Sequence, residues 1–200
     1  MKLLNRAFYA RDTVIVAKEL LGRILHRQWH GSHLAGVIVE TEAYCGLVDP
    51  ASHAYIGQTN RNRALFGKVG HSYVYFTYGN HYCVNIVAKE KDVAAGGILI
   101  RALLPLEGIH HMQKLRHTDN VSNLANGPGK IGQALHLRLS NNFIDLTKEG
   151  PLYITEGFRI PEVAIAETPR IGITKAITKP WRFVASKEEC ARLQEQLLAY

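Results

Sequence analysis

The sequence predicts an α+β fold: one compact domain with a mixed or antiparallel, curved β-sheet, peripheral helices and a protruding β-hairpin. Three observations predict it. Runs of β-branched and apolar residues, led by Val37-Ile38-Val39, alternate along the chain with short segments of helical spacing. Aromatic and β-branched residues alternate from Tyr73-Val74-Tyr75 to Tyr78, followed by the turn-forming Gly79-Asn80; Tyr82-Cys83-Val84-Asn85-Ile86 then returns as the partner strand. No Pro/Ser-rich linker or composition break divides the chain, so residues 1–200 are read as a single domain.

In chain order, Asp12-Thr13 has N-cap chemistry, and apolar residues at helical spacing over 14–21 continue until Gly22 stops the helix. Residues 23–28 and 35–41 read as two strands joined by Trp29-His30-Gly31-Ser32-His33. Residues 46–70 are turn-rich and polar, with Gln58-Thr59-Asn60-Arg61-Asn62-Arg63 at the centre, and read as a long surface loop. After the hairpin, 96–104 is an apolar strand holding one cation, Arg101. Pro105-Leu106-Glu107 is expected to start a helix running to about Arg116, before a polar, irregular stretch over 117–125. Asn126-Gly127-Pro128-Gly129-Lys130 leads into a helix over 131–137, where free backbone N–H groups can meet a phosphate; the spacing is not that of a nucleotide P-loop. Short strands are expected near 151–155, 170–174 and 181–185, then a C-terminal helix from about Lys187.

Composition narrows the function classes. Apolar residues make up 46% and charged residues 20%, and no apolar run approaches the roughly 18 residues of a membrane span. The N-terminal stretch is broken by Asn5, Arg6, Arg11 and Asp12, which argues against a signal peptide. Cys45, Cys83 and Cys190 form no C-x-x-C pair and fit a reducing cytoplasm. The ten histidines include no H-E-x-x-H, and His30 with His33 or His110 with His111 lack ligand spacing, so no metal is expected. The net charge of +7 favours a polyanionic partner through phosphate neutralisation.

The chemistry concentrates in Val39-Glu40-Thr41-Glu42-Ala43-Tyr44. In an extended strand the two-residue period puts Ile38, Glu40, Glu42 and Tyr44 on one face, so two carboxylates and a phenol share a surface. An aromatic hairpin suits an enzyme that holds one base outside a helix, since aromatic faces stack on bases at about 1–3 kcal/mol each. Tyr78 at the tip has wedge chemistry, and an extruded base can rest against Tyr44 or Tyr75 near a carboxylate. Arg101 in so apolar a strand needs a partner, either structural or a site carboxylate.

These motifs, with Arg61-Asn62-Arg63, Tyr78-Gly79, Cys83-Val84-Asn85, Arg101-Ala102-Leu103, Pro105-Leu106-Glu107-Gly108, Gly127-Pro128 and Lys130, resemble the alkyladenine (3-methyladenine) DNA glycosylase family over most of the chain. The resemblance implies a single-domain mixed α/β fold. It makes Glu42 the general base that holds the attacking water, with Glu40 as its rival on the same strand face. Tyr44, His53 and Tyr75 match the residues that sandwich and hydrogen-bond the flipped base, and Asn85 a pocket-floor residue that screens out guanine-like exocyclic groups. Tyr78 matches the intercalating tyrosine, and Arg101 a cation near Glu42 and the sugar-phosphate. Thr59, Arg61, Arg63 and Lys130 are expected on the DNA backbone. Asn80-His81 departs from the family's apolar residue after Tyr-Gly, and the loop 54–57 is about one residue short.

The function so implied is a monofunctional DNA glycosylase acting on alkylated or deaminated purines in double-stranded DNA, with no cofactor, no membrane and no obligate protein partner. Two other classes compete with it. A damage-recognition protein would need no acid at position 42, and a metal-dependent nuclease or deaminase would need clustered ligands.

Overall fold

The computed structural model describes residues 2–77, 79 and 81–198. Among the described residues eight strands join one sheet: β1 Ile24–Trp29, β2 Ser32–Tyr44, β3 Ser72–Thr77, β4 His81–Val87, β5 Gly97–Glu107, β6 Leu152–Thr155, β7 Ile165–Thr168 and β8 Arg182–Ala185. The main path runs β3-β4-β5-β2-β1-β6, β8 pairs with β2, and β7 pairs with β8. Each strand pairing is antiparallel. Five α-helices of the described residues accompany the sheet: α1 Arg6–Tyr9, α2 Thr13–Glu19, α3 Ile109–Arg116, α4 Pro128–Ala134 and α5 Lys187–Leu198. Among the described residues no helix is long and apolar enough to cross a membrane.

The N-cap chemistry of Asp12 is realised, its Oδ1 accepting from the amides of Val14 and Ile15. Val16 and Ala17 of that helix and its C-cap Leu20 enter the main core with Ile38, Ile98 and Ile100 from the sheet. The Thr41 hydroxyl, buried on the same side, donates to the Ala17 carbonyl at 2.8 Å. On the other face α5 supplies Leu193 to a second core with Ile24, Val37, Val39 and Ala185.

The long strand β2 organises the site. It serves three partners: β1 along its first half, β5 from Ala35 to Tyr44 and β8 at Glu40, Thr41 and Glu42. Its register with β5 shifts between Ile38 and Glu40 and again between Glu40 and Thr41. Such bulges bend a strand and re-aim its side chains, and here they let Arg101 of β5 lean toward the Glu40 and Glu42 side chains.

Two sequence expectations are corrected. No helix begins at Pro105: β5 continues through Glu107, with Pro105 opposite Gly36 at a register shift. Gly108 then turns the chain with φ 71, and the helix starts at Ile109, because a Cβ at Gly108 would lie 2.6 Å from the His33 carbonyl oxygen. Residues 170–174 form no strand; the strand in this part of the chain is β7, five residues earlier, and 171–175 is an irregular segment drawn over the end of β2.

Candidate active site

Glu42 is wholly buried near the end of β2. Its Oε2 accepts from the Tyr44 hydroxyl at 2.8 Å and from the Arg101 guanidinium at 3.0 Å; its Oε1 accepts from the Ile171 amide at 2.7 Å. The sequence period placed Glu40 on the same face, and the two carboxylates do share Arg101, whose Nε donates to Glu40 Oε1 at 2.8 Å. Glu40, however, also accepts from Arg182 Nε at 2.7 Å, and so is held between two guanidinium groups. Burial works against the charge on Arg101, but Glu42 and Glu40 outweigh it and leave its pKa raised. Burial, then the Glu42 carboxylate, raises the Tyr44 phenol, so it stays a donor to Glu42.

A cavity of about 410 Å³ opens beside this cluster. Tyr44, Arg101 and Ile171 line it, while Glu42 stands behind them. From β3, Tyr73 and Tyr75 project into it with ring centroids 5.3 Å apart and planes 26° from parallel. His53 meets the Tyr75 ring edge-on at 4.7 Å, and its Nδ1 lies 3.0 Å from the Tyr73 hydroxyl. Burial, then Arg61, lowers the His53 pKa, so the imidazole is neutral at neutral pH. Asn85 of β4 lines the cavity, its Nδ2 donating to the Tyr73 carbonyl at 3.3 Å. The structure therefore brings Tyr44, His53, Tyr75, Asn85 and Arg101 to one cavity, with Glu42 behind it. Among the described residues no group of three or more His, Cys, Asp or Glu side chains is arranged to hold a metal ion.

Residues 7–189 match the family model described as methylpurine-DNA glycosylase (MPG). The chain belongs to this family. It is thus a DNA glycosylase, a hydrolase of N-glycosyl bonds that acts in base excision repair. It is 49% identical over 181 residues to a Carboxydothermus hydrogenoformans protein named "Putative 3-methyladenine DNA glycosylase", covering 90% of this chain and 94% of that one. Proteins of the same name from Methanoculleus marisnigri, 48% identical over 184 residues, and Clostridium acetobutylicum, 43% over 202 residues, cover 90% and 95% of this chain and 93% and 97% of their own.

Around the glycosylase cavity, sequence reasoning missed a buried pair. Asp49 and Arg170 are fully enclosed, joined by two hydrogen bonds of 2.5 and 2.8 Å. Arg170 also donates to the Ala43 carbonyl and lies over the Tyr44 ring at 4.6 Å and the Trp181 ring at 5.1 Å. It immediately precedes Ile171, so this pair fixes the amide that holds Glu42. No local pattern announces a contact spanning 121 residues of sequence. Tyr73, quoted in the motif without a role, proves to be the hydroxyl partner of His53.

The residues expected on the DNA backbone lie apart from the cavity floor. Arg61 and Arg63 are exposed, and Arg61 donates to the Phe76 carbonyl at 3.2 Å. Thr59 is tied to the Asn62 amide through its hydroxyl, and Lys130 donates to the side chains of Asn123 and Asn126. The wedge residue Tyr78 and its neighbour Asn80 lie outside the described residues. His81 begins β4 and packs on Gly129.

Proposed function

We propose that this glycosylase is monofunctional: it receives an alkylated or deaminated purine, flipped out of double-stranded DNA, between Tyr44, His53 and Tyr75, and hydrolyses its N-glycosidic bond with a water activated by Glu42. One observation carries the reading. The Glu42 carboxylate is buried, is paired with Arg101, and takes its three hydrogen bonds from residues that all line an aromatic cavity. Such a carboxylate can stabilise an oxocarbenium-like sugar and accept a proton from water.

In this reading the water oxygen bonds to the anomeric carbon, the bond to the base breaks, and the water proton passes to Glu42. The water reaches Glu42 by joining or displacing the Tyr44 hydroxyl or the Ile171 amide, the donors that meet the carboxylate at the cavity wall. An alkylated purine such as 3-methyladenine or 7-methylguanine is already cationic and leaves as a neutral base. Hypoxanthine needs a proton, supplied through a site water. Neutral His53 directs Nδ1 to Tyr73, leaving Nε2 for the edge of the base. Asn85 on the same cavity supports the screening of exocyclic groups. Among the described residues no lysine hydrogen-bonds to Glu42, which favours hydrolysis over a Schiff-base lyase step.

The test is incubation with a duplex holding one hypoxanthine or alkylated purine. The expected products are free base and an intact strand with an abasic site, formed equally in excess EDTA and giving no borohydride-trapped complex through Lys175 on the cavity rim. Strand cleavage without free base, or loss in EDTA restored by zinc or magnesium, would overturn the proposal.

A further inference from the structure

A second recess, of about 480 Å³, lies along the outer edge of β3, and Tyr75 lines both it and the base cavity. β3 ends the sheet, so its outward backbone groups have no strand partner. Ser72 bonds outward to Phe143 and Ile144, and by the two-residue period Val74 and Phe76 face the same way. The recess is lined by Arg61, Arg63, Phe76, Leu139, Asn142 and Phe143. Among the described residues no acidic side chain lines it.

Three features set the recess apart from an ordinary solvated surface. Phe76, Leu139 and Phe143 are 42%, 57% and 40% exposed and form one patch. Phe143 holds a left-handed backbone, φ 65, which disfavours a bulky residue, yet the ring it presents is not buried. Arg63 lies 5.0 Å over that ring and has no hydrogen-bond or ion-pair partner among the described residues.

We infer that this recess is a subsite for a nucleotide flanking the damaged one, its phosphate taken by Arg61 and Arg63 and its base stacked on the Phe76–Phe143 wall. The inference rests on the glycosylase reading, because a nucleotide in the cavity is what brings the strand past Tyr75. Aromatic rings interleaved with exposed cations are the chemistry of single-strand recognition, in which stacking tolerates any base. An extended acidic peptide adding to the β3 edge suits the recess less well. Two edge groups it would need are occupied, the Val74 amide by Asn142 Oδ1 and the Phe76 carbonyl by Arg61.

The experiment measures duplex affinity by fluorescence anisotropy. The duplexes carry a 2′-fluoro hypoxanthine nucleotide, whose electron-poor sugar resists cleavage, and have the neighbouring base on one side or the other removed by a tetrahydrofuran residue. For the wild-type protein, loss of the base on one side is expected to weaken binding by about 5- to 150-fold more than loss on the other, the range for one base–aromatic stack. Phe143→Ala and Phe76→Ser, both at exposed positions, should show that weakening on the intact duplex and no further loss when the same neighbouring base is removed. Arg63→Gln should weaken all duplexes and lower the salt slope by about one unit. Equal losses on both sides, or folded Phe143→Ala and Phe76→Ser variants binding every duplex within twofold of wild type, would overturn the subsite and leave the recess to a different class of partner. Release of hypoxanthine from the ordinary 2′-deoxy duplex, measured in parallel, tests the glycosylase reading separately.

Discussion

Replacing Arg170 by Met tests whether the buried Asp49 pair holds the catalytic geometry. Breaking a buried ion pair by removing one partner costs about 3–5 kcal/mol, because the other charge is left enclosed. Asp49 has partial insurance: its oxygens also accept from the Cys45 and Ala51 amides, both at 3.1 Å. The loss should therefore fall near the lower end, about 3 kcal/mol, or roughly 6–12 °C in melting temperature for a chain of this size. The double change Asp49→Asn with Arg170→Met removes both charges and should recover at least half of that loss. Activity should not follow. Without Arg170 the Ile171 amide is no longer pinned against Glu42, and losing a hydrogen bond to a charged group, about 1.5–3 kcal/mol, corresponds to about a 10- to 100-fold slower single-turnover release of base. Melting curves and single-turnover rates on the same three proteins separate the two effects. An Arg170→Met protein melting within 2 °C of wild type, or a double variant whose rate recovers together with its stability, would refute the reasoning.

Tyr44→Phe deletes the hydroxyl that donates to Glu42 and should slow the single-turnover rate about 10- to 100-fold with little change in duplex affinity; an unchanged rate would remove Tyr44 from the Glu42 cluster. Burial, then His33, pulls His26 from 6.5 down to about 4, so the unfolded chain takes up that proton first as the pH falls. The stability held by neutral His26 is complete above pH 6.5 and is lost toward pH 4 at about 1.4 kcal/mol per pH unit, and His26→Gln should make the pH dependence in urea melts shallower by that amount, leaving the part held by His53, His71 and His136. DNA affinity should fall with salt at a slope of about −0.9 per phosphate neutralised, and Arg61→Gln or Lys130→Gln should each reduce the slope by about one unit on damaged and undamaged DNA alike; a flat profile would contradict phosphate tracking.

What was legible in the sequence was whatever depended on local period. Glu40, Glu42 and Tyr44 two residues apart predicted a shared face, though Ile38, expected on it, packs in the main core across the register shift; the demand of a lone cation for a partner left Arg101 either a structural role or a site carboxylate, and it meets two carboxylates. The aromatic alternation located β3 and β4, while the pairing of Tyr75 with Asn85 in one pocket came from the family resemblance; both line the same cavity. The misses were contests between local pattern and distant contacts. Ile171 and Ile173 alternate with Gly172 and Thr174 as a strand would, but Asp49 captures Arg170 and Glu42 captures the Ile171 amide, which holds the segment out of the sheet. Pro105 looks like a helix start, yet pairing with β2 keeps it extended until Gly108 supplies the left-handed turn.

The central claim is that Glu42 rather than Glu40 activates the water. A general base acts mainly in the transition state, so Glu42→Gln, nearly isosteric, should leave binding to a lesion duplex within a few fold while slowing release of hypoxanthine or an alkylated purine by at least about 10⁴, the upper end for general acid–base catalysis. Glu40, clamped by Arg101 and Arg182, should tolerate the amide with a far smaller loss. Single-turnover release measured side by side on the two variants decides between them. The account predicts loss of chemistry without loss of binding for Glu42→Gln alone; a Glu42→Gln protein keeping more than about a tenth of the wild-type rate while Glu40→Gln abolishes it would place the base one strand repeat away.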